Sequence, residues 1–263
     1  LLLQVGAPIL LVILVIVTFV IVKVNQQRTV VADTPSAPAS SALQASLKNI
    51  PAATFDAVGT GTGVSAPTTV TGPALMADGK PRVLYIGAEY CPFCAAQRWA
   101  VVAALSRFGT FSNLGVAFSG AADSYPNTAT LSFHGATYSS SLLSFTGVEE
   151  STNIAKANGG YTALDTPTAA DAALFAHYNS KGGIPFADFG NKYVWVGSAV
   201  QPDVLQGLTQ TQIAAGLQDP SSAIAKQVLG AANLMSAALC AITNGQPATV
   251  CGSTAVTSQK LPG

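Results

Sequence analysis

Val83-Leu84-Tyr85-Ile86-Gly87-Ala88-Glu89-Tyr90-Cys91-Pro92-Phe93-Cys94-Ala95-Ala96-Gln97-Arg98-Trp99 is the stretch that decides the reading of this chain. Val83 to Gly87 is a β-type run, and the residues from Ala95 to about Phe108 read as a helix. The CxxC therefore lies at a strand-to-helix turn, a position suited to redox chemistry. Unpaired N–H groups and the helix dipole at a helix N-terminus favour a thiolate, which is the nucleophilic form of cysteine. Cys91 is the candidate nucleophile. Cys94, three residues on and on the same face of the first turn, is the candidate resolving thiol. Pro92 suits a first helical turn, where its missing N–H costs nothing. Half of a zinc site and a CxxC that no longer turns over are the alternatives. A structural zinc site needs four ligands. Cys240 and Cys251 would supply two, but their spacing is unlike a zinc knuckle, and His134 and His177 have no ligand spacing. Met76 and Met235 are too isolated to suggest copper delivery.

Downstream, Gly109 is a plausible C-cap, and Leu114 to Ser119 reads as the second core strand. An insertion over about residues 120–181 follows, far longer than an ordinary connection. Thr128–Phe133 and Leu142–Val148 read as added strands within it. Thr166 and Pro167 read as the cap and first residue of a helix running to about Tyr178. Tyr125-Pro126-Asn127 and Tyr138 are candidates for an ordered insertion near the site, with no definite position in it. Gly183-Ile184-Pro185-Phe186 is the second motif. The runs Phe186–Phe189 and Lys192–Val196 flank Gly190-Asn191, a two-residue hairpin signal. An X-Pro opening an antiparallel hairpin, downstream of a strand–CxxC–helix unit, is where thioredoxin folds keep a cis-proline. Asp203–Gln218 reads as a helix. Ser221–Thr243 reads as a longer one whose apolar face carries Ile224, Val228, Ala231, Met235, Leu239 and Ile242, ended by Asn244-Gly245.

Upstream, Leu1 to Val22 carries no charged residue and is long enough to span a bilayer. A cleaved signal peptide is disfavoured, because the apolar run is too long and no small-residue cleavage motif follows Val22. Residues 1–24 are thus expected to be a membrane anchor, 25–42 a Pro/Ser/Ala linker and 43–263 the folded domain. The 263 residues include 12 basic and 12 acidic side chains, so nothing points to nucleic acid. Only 9% are charged, against about 25% in ordinary soluble proteins; the resulting polar, weakly charged surface fits an extracytoplasmic protein. Lys23 and Arg28 favour the opposite topology by the positive-inside rule, which basic residues upstream of Leu1 would counter. Cys240 and Cys251 are open to three readings: a structural disulfide, a redox relay or two free thiols. The disulfide is preferred, and it places the domain outside the cytoplasmic membrane.

GAEYCPFCAAQRWAVVAALSRFGTF, YPNTATLSFHGATY and GIPFADFGNKYVWVG together resemble a membrane-anchored, thioredoxin-like family of unknown function found in actinobacteria and archaea. The resemblance implies an α/β, thioredoxin-like fold with an insertion before the cis-proline hairpin, plus one N-terminal transmembrane helix. It further implies Cys91 as nucleophile, Cys94 as resolving thiol and Pro185, with Ile184, as the substrate-docking element. This sequence departs from thioredoxins at Tyr85, where they carry a buried acid. Glu89 stands where the superfamily often has a surface Glu. Arg98, one turn after Cys94, is a candidate tuning residue through Glu89 or through its own charge, or else a solvated surface residue; Trp99 reads as core. The expected function is thiol–disulfide exchange with protein cysteines, without a cofactor. The second reading is a non-catalytic accessory or assembly subunit of a larger membrane complex, respiratory complexes included.

Overall fold

The computed structural model describes residues 34–263. The expected anchor over residues 1–24 lies outside the described residues, as does the first part of the expected linker. The folded domain starts earlier than residue 43. Strand β1 (Ala37–Pro38) pairs antiparallel with Val116 and Gly115, Ala39 is buried, and Ser40 Oγ accepts from Leu43 N to cap a helix over Ser41–Lys48. A second short helix, Ala52–Val58, follows, and then two short strands, β2 (Thr68–Thr69) and β3 (Met76–Ala77).

Strand β4 (Lys80–Gly87) is the axis of the main sheet. Val83, Leu84, Tyr85 and Ile86 are all fully buried, as expected of a strand covered on both faces. Side chains alternate between faces. Val83 and Tyr85 join the larger core with the CxxC helix (Pro92–Leu105) and the long helix Ala223–Ile242. Leu84 and Ile86 join a smaller core with Leu174 and Phe175 of the helix Ala169–Tyr178. The sheet is therefore a layer between helices, an α/β arrangement.

After the CxxC helix come β5 (Thr110–Ser112), β6 (Gly115–Phe118), β7 (Ala129–Ser132) and β8 (Thr137–Ser139). Strand β6, expected as the second core strand, instead lies between β1 and β7 in a separate three-stranded sheet. The parallel neighbour of β4 is β9 (Ser144–Glu149), paired from Arg82↔Ser144 to Gly87↔Glu149; it had read as an added strand of the insertion. Both runs have β-type composition, and composition does not record which strand a segment pairs with. The added material thus falls on both sides of β9: residues 110–139 before it, and the hairpin of β10 (Ser151–Ala155) and β11 (Tyr161–Ala163) after it.

The helix after that hairpin is capped by Thr168, not Thr166: Thr168 Oγ1 accepts from Asp171 N. This register holds Asp171 in the first turn, where its carboxylate also takes both terminal nitrogens of Arg82 at 2.8 and 2.9 Å. Strands β12 (Phe186–Phe189) and β13 (Tyr193–Val196) form the expected hairpin, antiparallel to β4 through β12. Its loop has three residues rather than two, and Gly190 and Asn191 both take left-handed backbone, φ 69° and 57°. The expected helix over Asp203–Gln218 is a 3₁₀ turn (Pro202–Leu205) and a separate helix (Gln210–Gly216). Gly207 at φ 79° and the Thr209–Gln212 capping box divide them.

The long helix Ala223–Ile242 is, among the described residues, the one long and apolar enough to cross a membrane, but 72% of that stretch is buried inside the domain, as in a core helix. Its Gly230 lets the loop at Gly61 lie against it: a Cβ on Gly61 would fall 2.1 Å from the Lys226 carbonyl oxygen.

Candidate functional site

The CxxC helix is buried along nearly its whole length. Its neighbours explain why. Tyr85 of the main sheet lies beneath it, the long helix packs beside it, and β7 ties its other side through Trp99 Nε1 to Ala129 O (3.0 Å) and Thr130 Oγ1 to Ala95 O (3.0 Å). Only the N-terminal end reaches a surface, and Cys91 is there. Gly109 is not a left-handed cap: the helix stops at Leu105 with Ser106 as its cap, and a Cβ on Gly109 would meet the Tyr138 ring.

Cys91 is the N-cap, with extended backbone, and its sulfur accepts from Cys94 N at 3.2 Å. Cys91 is 6% exposed and Cys94 is fully buried; both are free thiols. The two differ in acidity. The hydrogen bond from the Cys94 thiol lowers the Cys91 pKa below the ordinary thiol range; burial opposes this, while the Cys94 and Phe93 backbone N–H groups and the Arg98 charge act with it. Burial pushes the Cys94 thiol well up, and its hydrogen bond to Cys91 pushes it further. One sulfur is thus prepared as the thiolate and the other as the proton-bearing partner.

Ile184 and Pro185 come to the same place. The Ile184–Pro185 bond is cis, and the Ile184 carbonyl oxygen lies 3.8 Å from the Cys91 sulfur. The Pro185 carbonyl is taken by Gly197 N at 2.7 Å. Val196, on the neighbouring strand, is 53% exposed.

Arg98 is neither solvated nor paired with Glu89. It is fully buried and forms a two-pronged pair with Glu149, Nε to Oε1 at 2.8 Å and Nη2 to Oε2 at 2.6 Å. Nη2 also donates to the Ala88 carbonyl at 2.6 Å, and Nη1 to Thr130 Oγ1 at 3.3 Å. Burial works against the guanidinium charge, but Glu149 outweighs it and holds Arg98 protonated. Glu89 is buried too, not at the surface. Its Oε1 accepts from Ser132 Oγ at 2.6 Å, and its Oε2 has no hydrogen-bond partner among the described residues. Tyr85, in place of a buried acid, sets its ring 5.9 Å from the Arg98 guanidinium, and burial keeps its phenol protonated.

Sequence reasoning missed two features. Glu149 carries no signal in its own neighbourhood; the nearest hint was a lone arginine inside the apolar helix run. The second is an aromatic fence around the CxxC mouth. Tyr90 stacks on Tyr161 with centroids 4.0 Å apart, and Phe93 meets Tyr125 edge-on at 5.8 Å. Both partners come from the added segments, and Gly120 N donates to the Tyr90 carbonyl at 2.7 Å. Tyr138 lies elsewhere, against Phe111 and Phe145.

The remaining residues singled out in the sequence lie apart. Cys240 and Cys251 are bonded to each other, with Cα atoms 5.6 Å apart, so they add no ligands to the CxxC pair. Arg107, just past the far end of the CxxC helix, reaches Ser236 and Ser253. The bridge therefore belongs to the opposite end of that helix, about 20 Å away at 1.5 Å per residue, too far for a direct relay. His134 pairs with Asp165 at 2.7 Å on the surface, His177 packs on Tyr178, and Trp99 is core.

The molecule is thus an α/β domain with an asymmetric, nearly buried dithiol at the N-terminus of a buried helix. The chain matches the family described as Domain of unknown function (DUF929) over residues 67–241, and it belongs to that family. The matched segment includes β4, both CxxC cysteines, Glu149 and the Ile184–Pro185 turn. No curated protein and no solved structure matches the chain.

Proposed function

We propose that this protein is a thioredoxin-like thiol–disulfide oxidoreductase acting on protein cysteines. The observation that carries the reading is the Cys91 sulfur, held by the Cys94 N–H at 3.2 Å and faced by the Ile184 carbonyl at 3.8 Å. The order of elements supports the thioredoxin-like assignment: a strand, the CxxC helix, a parallel strand, a helix, then an antiparallel hairpin opened by a cis-proline.

In the proposed reaction the Cys91 thiolate attacks one sulfur of a substrate disulfide. A Cys91–substrate bond forms, the substrate S–S bond breaks, and the leaving thiolate takes a proton. Cys94 then gives up its proton and attacks the Cys91 sulfur. The Cys91–Cys94 disulfide forms and the second substrate thiol departs. Two electrons pass from the dithiol to the substrate; with a dithiol substrate and oxidised CxxC the same steps run in reverse. The substrate chain lies along Ile184 as an added strand.

The test is mixed-disulfide trapping in the native membrane. Cys94→Ala keeps the nucleophile and removes the resolving thiol, so covalent complexes through Cys91 accumulate; Cys91→Ser abolishes them. The low exposure of Cys91, 6%, favours a second reading, an accessory or assembly subunit of a membrane complex in which the CxxC does not turn over. Failure of Cys94→Ala to trap any partner, with wild-type behaviour of both single variants in vivo, selects that reading. In both readings residues 1–24 anchor the chain and the domain faces outside. A membrane-impermeant thiol reagent or protease applied to intact spheroplasts should reach it, and full protection until permeabilisation rejects that topology.

A further inference from the structure

We propose that the buried Arg98–Glu149 ion pair is the positioning device of the CxxC site, and that its charge balance sets how much negative charge Cys91 and Cys94 can hold. The inference rests on the exchange reading for its purpose, but not for its measurement.

The geometry joins the pair to the site through one residue. Ala88 is the last residue before the turn that carries Cys91. Its carbonyl accepts from Arg98 Nη2 at 2.6 Å and from Cys91 N at 3.2 Å. Arg98 thus grips, from inside the helix, the peptide that holds the turn carrying Cys91. Glu149 fixes Arg98 from the parallel strand: its carboxylate takes two guanidinium nitrogens and also the Phe133 N–H at 3.2 Å, while its own N–H donates to Asp165 Oδ2. Helix, main sheet and added sheet meet at this one pair.

The same geometry has an electrostatic consequence. The titratable groups around the two thiols are Tyr85 from β4, Glu89 and Tyr90 in the turn, Tyr125 and Tyr161 from the added segments, Glu149 and Glu150 at the end of β9, and Arg98. Arg98 is the cation among them, and it favours the thiolate of either cysteine. Glu149 offsets it. A charge this deeply buried is screened little by salt. The two partners therefore hold one structure in common but push the thiols in opposite directions.

That opposition separates tuning from mere support. The ionisation of Cys91 is followed by thiolate ultraviolet absorbance and by the pH dependence of alkylation, in the full reduced chain. Arg98→Met should raise the Cys91 midpoint by about one pH unit, the low end of the effect of a nearby opposite charge. Glu149→Gln should lower it, because Arg98 is left uncompensated. Arg98→Lys, which keeps the charge, should restore most of the native value. All three should lower the melting temperature. A support role alone predicts the loss of stability without opposite shifts, so midpoints that do not move, or that move in one direction, overturn the proposal. If Arg98→Met does not fold, Glu149→Gln decides: a downward shift supports the proposal, and no shift or an upward one rejects it. Failed trapping by Cys94→Ala would remove exchange chemistry while leaving these shifts in place. Normal trapping with no opposite shifts would remove only the tuning role.

Discussion

The two cysteine pairs of this domain occupy opposite ends of the CxxC helix and have opposite fates. Cys91 and Cys94 share the first turn, three residues apart, both buried, with Cys91 slightly exposed and Cys94 not at all. Cys240 and Cys251, separated by 11 positions, join the end of the long helix to a short helix over Ala248–Cys251. The first pair is surrounded by groups that treat its two sulfurs differently: a backbone N–H and a thiol proton for Cys91, dry packing for Cys94. The second pair is joined as a disulfide that closes a small loop and fastens the C-terminal tail. The lesson is that cysteine chemistry here follows from local electrostatics, while a staple requires only that two Cα atoms come within bonding reach.

The largest expected effect tests that asymmetry directly. In the native reduced protein, iodoacetamide should modify Cys91 well before Cys94, since the thiolate is the reactive form and burial keeps the Cys94 thiol protonated and shielded. Cys240 and Cys251 should stay silent until a reductant is added. Peptide mapping of a time course measures all four at once; equal rates at Cys91 and Cys94 would erase the proposed division between nucleophile and resolving thiol.

Next is the staple. Replacing both Cys240 and Cys251 by Ala should cost about 3 kcal/mol, the loop-closure value for a ring of this size. It should leave the Cys91 ionisation midpoint unchanged, because the bridge lies at the far end of the helix. Chemical denaturation checks the first part and thiol titration the second. A shifted midpoint would mean that the two ends communicate.

A smaller effect comes from a buried charge on the sheet face away from the CxxC helix. Asp188 pairs with Leu84 in register, its Oδ1 accepts from Asn191 N at 2.6 Å, and its Oδ2 has no partner among the described residues. Burial raises its pKa to about 6. The unfolded value is about 3.9, so the folded state holds the extra proton between about pH 4 and pH 6, and stability falls as pH rises through that window. Asp188→Asn should therefore stabilise the domain by about 2 kcal/mol at pH 7.5, with the advantage gone near pH 4. Denaturant midpoints at the two pH values decide it; a variant that is less stable at pH 7.5 would mean the carboxylate has a role there.

The smallest concerns the fence. Tyr125→Ala removes the edge contact to Phe93, worth about 1 kcal/mol, and should raise the alkylation rate of Cys91 by opening the mouth. An unchanged rate would show that Tyr125 packs without shielding.

Much of the site was legible in the chain. Cys91, Cys94 and the Ile184–Pro185 turn carry local signals, because a helix start after a strand and an X-Pro before a hairpin are features of a few consecutive residues. The long helix was legible for the same reason: its apolar residues recur with the helical period, and Val228, Ala231, Met235 and Leu239 are all buried. Local signals failed where two segments competed for one partner. Gly115–Phe118 and Ser144–Glu149 both have β-type composition, and only β9 finds β4 as its neighbour.

By itself, then, the sequence determined where the dithiol sits, which helix carries it and which turn comes to face it, since each depends on hydrogen bonds and packing periods within a short span. The tertiary structure decided the environment of the dithiol. Arg98 is separated from Glu149 by 51 positions and Tyr90 from Tyr161 by still more, and those pairs exist only because β9 and the following hairpin fold back against the strand and turn that hold Cys91. Burial takes an arginine that reads equally as a tuning residue or a solvated one and makes it a charge beneath the CxxC. Desolvation depends on all the atoms that surround a group, and no local stretch of sequence records them.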